Sequence, residues 1–139
     1  MLKLQRVEQV LFFLTLLLLP TQLGKHFWPE FSYVFSLPID YLSPVIYFWD
    51  ILVVGVWVTF LLQRKHINRL ALSFFYFFIL TQVLSLFNSN IGVGLVRLEQ
   101  YTVAGFFGVY ITSQNFSNLT KILFWPLSIG ILGESLLAI

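Results

Sequence analysis

Apolar residues fall into five long runs along the 139 positions, separated by short polar segments. The first covers roughly Val7 to Leu23 and is built on Leu11-Phe12-Phe13-Leu14-Thr15-Leu16-Leu17-Leu18-Leu19, with Pro20 placed to kink or stop a helix. The second covers roughly Pro44 to Leu62, with Pro44 suited to a first helical turn. The third runs from about Leu70 to Phe87 through the aromatic string Phe74-Phe75-Tyr76-Phe77-Phe78. The fourth, about Ile91 to Thr112, is the least apolar because it carries Arg97, Glu99 and Gln100, and the fifth begins near Leu119 and stays apolar to Ile139. A bilayer core about 30 Å thick takes about 20 apolar residues of helix, and a helix satisfies its own backbone hydrogen bonds in lipid. The pattern therefore predicts an all-α polytopic membrane protein with about five transmembrane helices.

The connecting segments refine that expectation. Gly24 to Glu30 and Asp40 to Pro44 are rich in Trp, Tyr, Phe and Pro, as suits a loop at a membrane interface. Gln63-Arg64-Lys65-His66-Ile67-Asn68-Arg69 is a basic connector, while Asn88-Ser89-Asn90 and Ser113 to Asn118 read as turns. With the N-terminus cytoplasmic, the inner segments hold Lys3, Arg6, Arg64, Lys65, Arg69 and Lys121 and the outer ones only Lys25. That bias places the N-terminus inside and the C-terminus outside. Residues 1–139 read as a single helical region, and the still-apolar ending Glu134-Ser135-Leu136-Leu137-Ala138-Ile139 suggests the N-terminal part of a larger membrane domain.

Composition supports the same class: 58% of residues are hydrophobic, 19% aromatic and 10% charged, far from the roughly 25% charged content of soluble chains. A net charge of +2 with scattered basic residues argues against a nucleic-acid partner. The absence of cysteine excludes disulfides and thiolate chemistry, and two histidines forty positions apart, His26 and His66, make a poor zinc site. Sequons at Asn115 and Asn118 fall on the cytoplasmic side in this orientation and are discounted.

The strings Leu19-Pro20-Thr21-Gln22-Leu23-Gly24-Lys25-His26-Phe27-Trp28-Pro29, Ile39-Asp40-Tyr41-Leu42-Ser43-Pro44 and Tyr47-Phe48-Trp49-Asp50-Ile51-Leu52, with Ser85-Leu86-Phe87-Asn88-Ser89 further on, resemble the N-terminal region of bacterial O-antigen ligase/polymerase-like membrane proteins. The resemblance covers the first third or so of a family member. It implies a multi-pass protein of the bacterial cytoplasmic (inner) membrane. Such a glycosyltransferase takes a glycan from an undecaprenyl-diphosphate carrier during polysaccharide or lipopolysaccharide assembly, without nucleotide sugar, metal or other cofactor. The family's essential arginine and histidine positions lie beyond Ile139, so no catalytic residue is carried over. A small non-enzymatic integral membrane protein, a scaffold or accessory subunit, is the alternative.

Three residues are candidates for substrate binding. Arg97, about two turns into the fourth run, offers the bidentate fork that suits a diphosphate; the structural alternative is snorkelling or pairing with Asp50 at a similar depth. Lys25 and His26 sit beside Trp28 on the outer loop, where they can touch a phosphate or sugar or act as a basic-aromatic interface anchor. Glu134 and the Phe74 to Phe78 string read as structural.

Overall fold

A computed structural model describes residues 2–21, 23–88, 91–114 and 119–137. In chain order its elements are α1 (Leu2–Leu18), β1 (Gly24–His26), β2 (Tyr33–Val34), β3 (Leu37–Pro38), β4 (Val45–Tyr47), α2 (Phe48–Leu62), α3 (Arg69–Ser85), α4 (Ile91–Ser113) and α5 (Leu119–Leu137). Single 3₁₀ turns stand at Glu30–Ser32, Asp40–Leu42 and Leu86–Asn88. The turn expected at Asn88-Ser89-Asn90, both sequons and the last two residues, Ala138 and Ile139, lie wholly or partly outside the described residues.

The expectation of a polytopic membrane protein is overturned. Among the described residues, no helix is long and apolar enough to cross a membrane. The physical reason lies in helix length and in where the charges fall. α1, α2 and α3 have 17, 15 and 17 residues, which at 1.5 Å per residue reach about 22–26 Å, short of a core about 30 Å thick. α4 is long enough, at 23 residues, but holds Arg97 and Glu99. α5 has Lys121 and Glu134 within 19 residues and Pro126 inside the helix. Charged groups in the helix interior, as Arg97 and Glu99 are in α4, cost about 2.5–3.5 kcal/mol each on insertion scales, and in α5 the charges near both ends leave only residues 122–133 between them, about 18 Å of helix. The transmembrane-helix reading, the multi-pass inner-membrane location and the in/out orientation built on them are therefore withdrawn.

The chain divides into two compact units. The first comprises residues 1–23, 47–66 and 113–139, so it contains α1, α2 and α5. α1 packs against both other helices. Its buried stripe is Glu8, Phe12, Thr15 and Leu16, and that of α2 is Leu52, Val53, Val56, Thr59 and Phe60. Both stripes follow the helical spacing of i, i+3, i+4 and i+7. The buried hydroxyls bond within their own helices, Thr15 to the Leu11 carbonyl at 2.8 Å and Thr59 to the Val56 carbonyl at 2.8 Å. α5 approaches α1 so closely that a Cβ on Gly130 would collide with the Leu17 carbonyl oxygen.

The second unit comprises residues 24–46 and 67–112. Asn68 caps α3 by accepting from the Leu70 and Ala71 N–H groups at 3.1 and 3.2 Å, and its amide reaches the Thr112 carbonyl at the far end of α4. Phe75 against Phe106 (4.9 Å between centroids) and Phe78 against Tyr101 (5.7 Å) continue the antiparallel pairing of α3 with α4. Gly105 leaves space for the Phe75 ring, and Gly92 for Phe31. The segment 24–46 is ordered by short pairings: β1 with β4, and β2 with β3 in register Tyr33↔Pro38 and Val34↔Leu37. Buried Ser32 donates to the Leu42 carbonyl, and the Ile39 N–H extends the hairpin to the Ser32 carbonyl.

Candidate functional site

The sequence-derived candidates Lys25 and His26 fall on β1, where successive side chains leave opposite faces of an extended backbone. The contacts follow that alternation. Lys25 Nζ lies 5.6 Å above the Phe27 ring, whereas His26 stacks on Trp28 at 5.7 Å with the planes inclined by 16°. The two basic residues therefore do not converge on one point. Trp28 continues the second face to Tyr33, with 6.5 Å between centroids and an inclination of 55°. His26, Trp28 and Tyr33 form one exposed row of rings.

That row leads to the β2–β3 hairpin, whose two loop residues, Phe35 (φ 50°) and Ser36 (φ 64°), are both left-handed. Two-residue type I′ turns demand that conformation and favour Asn-Gly. Here the tight turn is made by Phe-Ser, and Phe35 is 96% exposed at the tip, with Leu37 exposed beside it. A non-glycine residue in this region costs about 1–2 kcal/mol. The turn thus holds a large apolar ring outward in an unfavourable backbone conformation. Nothing in the residue pattern signals a tight turn here, because neither glycine nor asparagine occupies it.

His26 is anchored from behind. Its Nδ1 lies 2.9 Å from Ser43 Oγ, and that hydroxyl donates to the Asp40 carbonyl at 2.7 Å. Ser43 is 3% exposed, so the anchor is buried while the imidazole stays in solvent.

Arg97 occupies an exposed position on α4, four residues before Tyr101 and hence on the same helical face. Among the described residues, no hydrogen bond, ion pair or ring contact joins it to the Lys25–Tyr33 segment. Asp50, read from sequence as a possible partner for Arg97, is engaged by the head of its own helix: the Tyr47 N–H donates to Asp50 Oδ2 at 2.8 Å. Burial pushes the Asp50 carboxyl above the usual aspartate range, and this hydrogen bond pulls it partway back.

A second polar centre, in the first unit, escaped the sequence reading. Glu8 is 1% exposed. Its carboxylate receives Lys65 Nζ at 2.7 Å, Gln63 Nε2 at 2.5 Å and Gln114 Nε2 at 2.7 Å. Arg64, left-handed at φ 52° just past the end of α2, turns the chain so that residues on either side of it reach the same carboxylate. A charge-balanced carboxylate joining three chain segments is a structural clasp. The signal available in the sequence was an acid on the buried stripe of α1, four residues before Phe12.

Among the described residues, no group of three or more His, Cys, Asp or Glu side chains is placed to hold a metal ion. Comparison with family models, characterised proteins and solved structures finds no match. The O-antigen ligase/polymerase resemblance thus rests on the quoted strings alone, and assignment as a transmembrane glycosyltransferase of that kind is not carried forward.

Proposed function

We propose that this chain binds at a lipid surface and recognises the sugar-phosphate head of a lipid-linked glycan there. The observation that carries the reading is the β2–β3 hairpin, with Phe35 held outward at its tip and the ring row Tyr33, Trp28, His26 behind it. The gradient from an apolar tip through amphipathic rings to a polar imidazole matches the change from acyl chain to headgroup at a bilayer edge. Exposed rings of this kind also stack on sugar faces, while Lys25, on the opposite face of β1, supplies a cation to anionic lipid headgroups of the same surface. The hairpin rests in the interface; it does not cross.

The native chain contains no cysteine, so Phe35→Cys can be labelled at one site with a polarity-sensitive fluorophore. Vesicles of phosphatidylethanolamine and phosphatidylglycerol should shift its emission to the blue, and lipid-borne quenchers should dim it. Adding a short-chain polyprenyl-diphosphate-linked N-acetylglucosamine to the vesicles should tighten binding, and Trp28→Ala should abolish that increment. A label blind to vesicles defeats the lipid half of the reading. Equal binding to plain and glycolipid vesicles defeats the glycan half.

A further inference from the structure

The hydrogen bonds behind His26 specify which of its nitrogens carries the proton. A serine hydroxyl has one proton to donate. That of Ser43 goes to the Asp40 backbone carbonyl at 2.7 Å, an atom that only accepts. The 2.9 Å contact between Ser43 Oγ and His26 Nδ1 must then be donated by the imidazole. A neutral ring protonated on Nδ1 has a bare lone pair on Nε2. No hydrogen bond engages that nitrogen among the described residues, and the ring is exposed and stacked on Trp28.

We infer that Ser43 is a positioning residue that fixes His26 as the Nδ1–H tautomer, so that Nε2 accepts a hydrogen bond from a sugar hydroxyl lying along the His26–Trp28–Tyr33 row. A neutral Nε2 lone pair repels a phosphate oxygen and suits a hydroxyl donor. The row therefore reads the glycan as a polyol, and the phosphate belongs to a different group of the site. This rests on the glycan reading above and narrows it to one hydrogen bond of defined direction.

The tautomer is measurable without any ligand. Long-range ¹H–¹⁵N correlation spectra of the full chain, labelled at histidine nitrogens and recorded at pH 8, should show His26 protonated on Nδ1 and bare on Nε2; His66→Gln assigns the second ring. Ser43→Ala should release the ring to a mixture of tautomers, and Ser43→Thr, which keeps the hydroxyl, should restore the wild-type pattern. Titration with methyl N-acetylglucosaminide should move the Nε2 resonance, whereas inorganic diphosphate should not. Ser43→Ala should weaken the sugar titration about five- to tenfold, the scale of one lost hydrogen bond. An Nε2-protonated His26 in the wild-type protein overturns the inference and leaves vesicle binding untouched. The Nδ1–H tautomer with no response to the sugar overturns the glycan reading itself. A response to diphosphate alone overturns the assignment of this nitrogen to a hydroxyl.

Discussion

At the scale of single residues, the polar groups that matter are those whose partners come from distant parts of the chain. Glu8 is the clearest case: its carboxylate serves Lys65, Gln63 and Gln114 at once. Glu8→Ala leaves the Lys65 cation and the Gln114 amide without this acceptor, Gln63 keeping only the Thr59 carbonyl, and should lower unfolding free energy by about 3–5 kcal/mol. Lys65→Ala should cost about 1.5–3 kcal/mol, since the two amides still hold the carboxylate and the lysine side chain is 30% exposed. Denaturant titrations of both single variants and the double variant test this, and additive losses would remove the clasp. Asp50 makes an opposite contribution. Its folded pKa is raised above the unfolded value, so its stabilisation is complete below about pH 4 and is lost as pH rises through the raised value. Asp50→Asn keeps an acceptor for the Tyr47 N–H and should flatten that part of the stability–pH curve. Asp50→Ala removes the titration as well as the cap, so its loss should be about 1 kcal/mol at low pH and smaller as pH rises through the raised value. The sequence draws attention to Lys25, His26 and Asp50 because each stands out in its neighbourhood, but it pairs Asp50 with Arg97 where the structure engages it at the head of its own helix. It missed Glu8 because the residues that make Glu8 important lie 55, 57 and 106 positions away.

At the scale of elements, close approach depends on where side chains are missing. α5 contains two glycines of opposite meaning. A Cβ at Gly130 would meet the Leu17 carbonyl oxygen and the Pro20 ring, whereas one at Gly133 meets nothing within 4 Å. Gly130→Ala must therefore push α5 away from α1 and should destabilise by about 1–3 kcal/mol. Gly133→Ala gains helix propensity and should stabilise by up to about 1 kcal/mol. Thermal unfolding of the two variants side by side separates packing from propensity; the same shift in both would show that α5 does not touch α1 at Gly130. The helical stretches were visible in the apolar runs, whose fourth and fifth members, from about Ile91 and from near Leu119, coincide with α4 and α5. The start of α2 was not, because Pro44 looks like a helix opener, while Val45–Tyr47 is extended and pairs with β1. The hairpin at Tyr33–Pro38 was equally hidden: strands of two residues carry no periodicity, and Phe-Ser is not a turn signature.

At the scale of the whole molecule, an apolar surface and membrane crossing are different properties. The sequence reading joined them because both follow from the same 58% hydrophobic composition. Crossing needs one uninterrupted helix of sufficient length without charges, and no helix among the described residues meets that need. The apolar surface remains. In the first unit, α5 exposes Phe124, Trp125, Ile129, Leu132 and Leu136; in the second, α3 exposes Leu70, Phe74, Phe77 and Leu84. Each set follows helical spacing into a lengthwise stripe, interrupted in α3 by exposed Thr81, and exposed apolar patches of this kind mark surfaces for binding protein or lipid. With only 10% of residues charged, little on the chain counteracts self-association in water. The purified protein should therefore remain monodisperse in a mild non-ionic detergent and sediment with bound detergent. It should aggregate when the detergent is diluted below its micellar concentration, and added vesicles should rescue it. Phe74→Gln with Phe77→Gln should reduce bound detergent without loss of helix in far-ultraviolet circular dichroism, because both rings are exposed and support no buried contact. A monodisperse monomer in plain buffer, with no bound amphiphile, would show that these stripes are ordinary surface and would remove the ground for placing the protein against lipid.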